Sequence, residues 1–201
     1  MSIAEKHLPI KMSRANLDNV PEFAVPAGFT LRWYEPGDEA HWLRIHLAAD
    51  PFNEITPEFF RKQFGLVQER GLQSASAREH GSGINSALLC KRQCYLLAPG
   101  GNAIGTGTAW FDDNFQGCRW GRVHWLAIVA EFQGRGLAKP LMTAICRRLR
   151  ELGHEHAYLS TSTARPAAIG LYLKFGFEPM IQSPEEAVVW KEVLPSVVRR
   201  A

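Results

Sequence analysis

The sequence predicts an α+β fold built on one mixed sheet, and three observations predict it. Two apolar runs, "QCYLLA" and "AIGTGTAWFDD", flank the turn signal Pro99-Gly100-Gly101-Asn102 and make an antiparallel hairpin. The run "VHWLAIV" (123–129), a glycine turn, an amphipathic stretch and "AYLSTS" (157–162) make a βαβ unit with parallel strands and a right-handed crossover. Ahead of both, residues 38–64 carry apolar positions at helical spacing.

Each element follows in order. Residues 1–25 are irregular and proline-punctuated and form an arm on a domain spanning 26–201. "FTLRWYE" (29–35) alternates as a strand. Asp38 caps a helix whose Trp42, Ile45 and Ala49 fall three and four apart. A second helix starts at Thr56 with Pro57 in its first position and Phe59, Phe60 and Phe64 to bury. From Leu66 to Arg92 no period is visible, so this stretch is read as the end of that helix and a mobile connection. After the hairpin and the strand 123–129, Leu137, Leu141, Ile145, Leu149 and Leu152 trace one helix face, closed by Gly153. Ala167–Phe175 is a helix stopped at Gly176, and "AVVWKEV" reads as a last strand.

Composition narrows the function. The chain has 201 residues, 46% hydrophobic and 21% charged, enough for a sizeable core. A net charge of +3 without a basic face argues against nucleic acid. No apolar run reaches the length of a membrane span, and the N-terminus lacks a secretory pattern, so the expected location is cytoplasmic. Cys90, Cys94, Cys118 and Cys146 have no paired spacing and are expected to be buried or inert thiols. His154 and His156 match no zinc signature and are expected as exposed turn histidines; no metal is expected.

The most informative stretch is "EFQGRGLAKPLM" (131–142), where two glycines stand at the entrance of a helix. A helix start leaves N–H groups unpaired and carries partial positive charge, so removing side chains there admits a phosphate. The plain alternative is a tight turn and nothing more. A dinucleotide fingerprint fails because Lys139 stands where a third glycine or alanine belongs. A P-loop fails for want of Gly-Lys-Ser/Thr.

Gln133-x-x-Gly136-x-Ala138, between a strand and a helix, resembles the pyrophosphate-binding signature of the GNAT superfamily of acyl-CoA N-acyltransferases. "AAIGLYLKFGFEP" (167–179) is similar to that superfamily's later helix, and "IGTGTAWF" to its glycine-containing strand, so order and spacing match over about residues 29–192. The resemblance implies a mixed, splayed sheet with helices on both faces and acetyl-CoA as co-substrate. It also implies direct transfer of an acetyl group to a primary amine on a small molecule or peptide. A non-catalytic acyl-CoA sensor of the same fold and a nucleotide-binding βαβ domain stay open as alternatives. The acceptor and the oligomeric state, a homodimer among the options, are not given by the sequence.

The resemblance also implies roles. Backbone groups of Leu126, Ala127 and Ile128 would pair with the pantetheine arm as an added strand. Gln133 and the amides of Gly134, Arg135, Gly136, Leu137, Ala138 and Lys139 would hold the pyrophosphate. Arg165 stands where the superfamily often has an asparagine touching the cofactor. Tyr172 stands where a tyrosine often protonates the departing thiolate; a phenol near pKa ~10 keeps its proton at neutral pH. Its alternative is a core tyrosine beside Leu171 and Phe175. His124, read as sharing one strand face with Leu126 and Ile128, is the candidate base, and a core histidine is its alternative. Glu54 and Asp112, with the loop 50–55, are candidate ammonium contacts; solvated acidic loop ends are the alternative.

Overall fold

The computed structural model describes residues 6–64 and 86–198. Its strands are β1 (Pro9–Arg14), β2 (Thr30–Trp33), β3 (Gln93–Leu97), β4 (Ala103–Phe115), β5 (Cys118–Ile128), β6 (Ala157–Ser162) and β7 (Glu178–Pro179). Its helices are α1 (Glu39–Ala49), α2 (Pro57–Phe64), α3 (Ser86–Arg92), α4 (Ala138–Glu151), α5 (Pro166–Lys174) and α6 (Pro184–Val198), with a 3₁₀ turn at Ala130–Phe132. All seven strands lie in one sheet, in the order β2-β3-β4-β5-β6-β1-β7. β5 and β6 are parallel and the other pairs antiparallel, which gives the mixed sheet expected.

Helices cover both faces. Leu141, Ile145 and Leu149 of α4 are fully buried and pack toward β3, β4 and β5. Trp42 and Ile45 of α1, also fully buried, pack on the other face of β4 and β5 with Phe60 and Phe64 of α2. Burying each such side chain is worth about 1.5–3 kcal/mol, so these two layers fix the sheet between them. Among the described residues, no helix is long and apolar enough to cross a membrane.

Several expectations need correction. Residues 9–14 of the expected irregular arm are strand β1, paired along its whole length with β6 and edged by β7. "AVVWKEV" lies inside α6, not a strand; Trp190, Val193 and Val197 bury one helical face of it. Of the stretch 66–92, residues 66–85 lie outside the described residues and Ser86–Arg92 is α3. Thr56 caps α2 as expected, its Oγ1 accepting from the Phe59 amide at 3.0 Å. Asp38 makes no side-chain cap; its carboxylate takes Arg32 at 2.6 and 2.9 Å and the Glu35 amide at 2.7 Å, tying β2 to α1. His154 is buried, not exposed, and burial lowers it to about 4. All four cysteines are free; Cys94 and Cys146 are buried with thiols pushed up to about 12, and Cys118 is exposed.

Candidate active site

The site begins with two glycines of β4. A Cβ on Gly105 would stand 2.4 Å from Ile128 Cδ1, and one on Gly107 would stand 2.7 Å from Leu126 Cδ1. Bare backbone at these positions lets the Leu126 and Ile128 side chains lie across β4 under α4. This is the physical reason for "IGTG".

β5 then departs from regular alternation. Thr106 faces Ala127 but Thr108 faces His124, so three residues of β5 span two of β4. The extra residue is a bulge at Trp125, whose φ is +50°, a region bulky side chains rarely adopt. The bulge corrects the reading that His124, Leu126 and Ile128 share a face. Leu126 lies toward Ile145 of α4, whereas His124 lies on the α1–α2 face, its ring 5.5 Å from that of Phe64. Trp125 shares this second face, 5.4 Å from Trp42 and 5.2 Å from Phe59 between ring centres, with its Nε1–H given to Gln63 Oε1 at 3.0 Å.

β5 and β6 separate ahead of the bulge. Their pairing is confined to Gly121–Ala157 and Arg122–Tyr158. Val129 donates to Ile104 O at 2.9 Å across β4, so by antiparallel alternation Ala127 also turns its polar groups toward β4. Ile128 and Leu126 turn theirs the other way, into the split. The Ile128 carbonyl there accepts from Gln133 Nε2 at 2.8 Å.

The glycine turn closes this end of β5. Gly134 and Gly136 have φ of +73° and +75°, left-handed conformations that favour glycine, and a Cβ on either would meet nothing within 4 Å. Among the described residues, the amides of Gly134, Arg135, Gly136 and Leu137 have no hydrogen-bond partner. Lys139, expected among the open amides, already donates to Gly136 O at 3.1 Å. The side chains of Arg135 and Lys139 lie over the rings of Phe132 and Phe23, at 4.8 and 5.6 Å. Open amides, a helix start and clear space in front of both glycines fit a diphosphate.

α5 follows β6, the strand that parts from β5. Tyr172 is 7% exposed, and burial pushes its phenol up to about 12 against the pull of Arg165. Arg165 donates to Asp50 Oδ1 at 2.8 Å and lies 5.2 Å over the Phe52 ring. Burial works against the Asp50 carboxylate, yet the Phe52 amide, Asn53 and Arg165 together hold it below the usual range. Loop 50–55 therefore bridges to the start of α5.

The remaining candidates do not all converge. Glu54 is exposed on that loop. Asp112 accepts from Tyr158 Oη at 3.0 Å and faces Trp120. It stands beside the last β5–β6 pair, Arg122–Tyr158, and six residues, ~20 Å, along β4 from Thr106, the level of Ala127. His124 is buried with its pKa well below 6.5, from burial first and then Arg122 and His46.

The sequence reading missed His46. It is 2% exposed on α1, 4.2 Å from Trp42 and 5.1 Å from Trp125 between ring centres, and burial lowers it to about 3. Its place four residues after Trp42, on the buried stripe of α1, was the available signal.

This geometry has relatives. A model of the acetyltransferase (GNAT) family matches residues 68–177. A mycothiol acetyltransferase of Nocardia farcinica (strain IFM 10152) is 28% identical over 172 residues, 80% of this chain and 48% of that protein. The N-alpha-acetyltransferase MAK3 of Arabidopsis thaliana is 30% identical over 84 residues, 42% of this chain and 44% of that protein. The chain thus spans about half the length of these curated relatives. Among solved structures, a GCN5-related N-acetyltransferase from Sphaerobacter thermophilus superposes with a TM-score of 0.61 at 19% identity, covering 86% of this chain and 48% of that one. The ribosomal-protein-S18-alanine N-acetyltransferase from Escherichia coli gives 0.54 at 18% identity, covering 76% and 79%. These likenesses show the fold, and the family match shows the kinship: the chain belongs to the GNAT acetyltransferase family.

Proposed function

We propose that the chain transfers an acetyl group from acetyl-CoA to a primary amine by direct attack, in the split between β5 and β6. One observation carries this reading: four consecutive amides, Gly134 to Leu137, without a partner among the described residues, beside a strand edge that has lost its neighbour. Acetyl-CoA supplies a thioester, an arm with amide groups and a diphosphate. The four amides and the start of α4 hold the diphosphate. The polar groups of Leu126 and Ile128 pair with the arm as strand addition, while Ala127, turned toward β4, contributes packing. Gln133 fixes the end of β5 through the Ile128 carbonyl.

Tyr172 serves the leaving group. Its phenol, pushed up to about 12, stays protonated at neutral pH and donates to the sulfur as charge develops there. Arg165 is held by Asp50, so it orients the lip of the site rather than reaching freely for the cofactor. On the amine side, the enclosed and neutral His124 is a wall residue in this reading; the amine attacks as its free base, and the proton its nitrogen loses on becoming the amide restores the one that Tyr172 gives the sulfur. Cys94 and Cys146, with thiols near 12, remain protonated and offer no acyl-enzyme route.

The acceptor class is a primary amine. One relative is named a mycothiol acetyltransferase and another an N-alpha-acetyltransferase, so both small amines and peptides with free N-termini belong in the test. The experiment is CoA-thiol release from acetyl-CoA with that panel. Amine-dependent release is the expected result. Binding of acetyl-CoA without amine-dependent release by any acceptor would make the chain a non-catalytic acyl-CoA binder.

A further inference from the structure

Arg122 stands at the apex of the split with nothing to hold. It lies on β5 two positions before His124, so by alternation it shares the α1–α2 face with that histidine. Trp110, its partner across the β4–β5 pairing, lies on the same face, its ring 5.4 Å from that of Phe64. On its other side Arg122 faces Tyr158, and this is the last pair of β5 and β6. Arg122 Cζ lies 5.5 Å from the centre of the Tyr158 ring.

Its guanidinium is partly buried, and Nε is buried without a partner. Among the described residues, Arg122 and the exposed Arg135 are the arginines without a hydrogen bond or ion pair; the others each hold an oxygen. Asp112, two residues along β4 from Trp110, is already taken. Its Oδ1 accepts from the Asn114 amide at 3.1 Å and its Oδ2 from the Tyr158 hydroxyl at 3.0 Å. Stacking on Tyr158 occupies the face of the guanidinium and leaves its edge of N–H donors open. A partly buried cation without a counter-charge is costly, and packing on a tyrosine ring needs no charge. The forked edge matches a carboxylate.

Position shows whose carboxylate this is. α4 and α5 share one face of the sheet, since Lys139 and Lys174 both lie over the Phe23 ring, at 5.6 and 5.8 Å. With that face covered, the amine reaches the split from the face that carries Arg122. In the proposed complex the diphosphate sits beyond Ile128 and the thioester lies innermost, near Leu126. Leu126 is four residues along β5 from Arg122, ~10–13 Å with the bulge allowed for. An extended peptide covers ~3.3–3.6 Å per residue, so two or three residues and the reach of the arginine span this gap.

We propose that Arg122 binds the carboxylate of the acceptor, which is a short peptide of two or three residues with its amine and its carboxylate both free. This rests on the proposed transfer site and names the substrate class of that site.

Dipeptides and tripeptides, each as the free acid and as its C-terminal amide, test it by CoA-thiol release from acetyl-CoA. The acids should show kcat/KM about 10- to 150-fold above their amides, the scale of one charge-assisted hydrogen bond. Arg122→Gln should bring the acids down to the level of the amides while the acetyl-CoA KM holds. Arg122→Lys keeps the charge without the fork and should keep part of the preference. No preference for the acids in the wild-type protein would overturn the proposal, as would a loss in Arg122→Gln shared equally by acids and amides. If Arg122→Gln does not fold, Arg122→Lys decides: a reduced preference supports the proposal and a full one overturns it. Release with small amines but with no peptide would overturn it and leave the proposed function standing. Release with no amine at all would be the failure of that function. Calorimetry with the acids and amides in the presence of CoA then decides on Arg122: tighter binding of the acids, lost in Arg122→Gln, supports its role, and equal or no binding overturns it.

Discussion

Replacing Gly136 by alanine separates what the turn requires of the backbone from what it offers a ligand. Gly136 has φ of +75°, and an L side chain there costs about 1–2 kcal/mol whatever its size. No atom lies within 4 Å of the new Cβ, so no steric cost adds to this. For a chain of this length ~1 kcal/mol is ~2–4 °C, so Gly136→Ala should lower the melting temperature by about 2–8 °C. Valine, being β-branched, would strain the same conformation further and confound the ligand effect. Gly153 provides the control: its φ is +82°, its Cβ would also meet nothing within 4 Å, and it follows the other end of α4. Fourteen helical residues separate the two ends, or ~21 Å. Both variants should lose similar stability. Only Gly136→Ala puts a methyl group in the clear space before the open amides, and losing one charge-assisted hydrogen bond there costs about 1.5–3 kcal/mol, ~10- to 150-fold in acetyl-CoA affinity by calorimetry. Equal affinity losses at Gly136 and Gly153, or none at either, would refute the phosphate-cradle reasoning.

Tyr172→Phe should lower kcat by ~10²–10³-fold with acetyl-CoA affinity unchanged, and a loss under twofold would return Tyr172 to the core. His124→Gln should leave the shape of the pH–rate profile intact; a flattened acidic limb would restore its imidazole as the base. Stability should fall in acid because His46 and His124 are neutral in the fold, with pKa values depressed by burial. Below the unfolded value of ~6.5 the unfolded chain binds more protons, so stability drops as pH falls from there toward about 3 for His46. The slope is ~1.4 kcal/mol per pH unit per histidine, and denaturant titrations of His46→Leu between pH 6 and 4 should show it reduced by that amount. Glu54→Gln should raise the acceptor KM more than the acetyl-CoA KM, whereas Asp112→Asn, ~20 Å along β4 from Thr106, should change neither.

What was legible in the sequence was local. The hairpin, the α4 stripe and the glycine turn are each specified by residues within a few positions of one another. β1 was hidden because Pro9–Arg14 gains its partners from β6, almost 150 residues away, and six residues that open on a proline carry little pattern of their own. In α6 the β-branched valines masked a helix that its own entrance announces. Ser183 Oγ accepts from the Glu186 amide at 3.3 Å and Glu186 reaches back to the Gln182 amide at 2.6 Å, with Pro184 in the first turn. The bulge was not legible at all. Strict alternation put His124 beside Leu126, and only the tertiary contacts around Trp125 show that the register shifts there. Asp50, which holds Arg165, fell within the loop 50–55 that the sequence singled out, while Asp112 spends its carboxylate on Tyr158, a partner distant in sequence that no local pattern announces.

Hydrogen–deuterium exchange with and without acetyl-CoA tests the central claim most directly. Among the described residues, the amides of Gly134 to Leu137 have no partner, and those of Leu126 and Ile128 face the split. All should exchange quickly alone and slow on addition of acetyl-CoA, while Gly153 at the far end of α4 stays unchanged. Protection that develops elsewhere and leaves these amides exchanging as before would contradict the account.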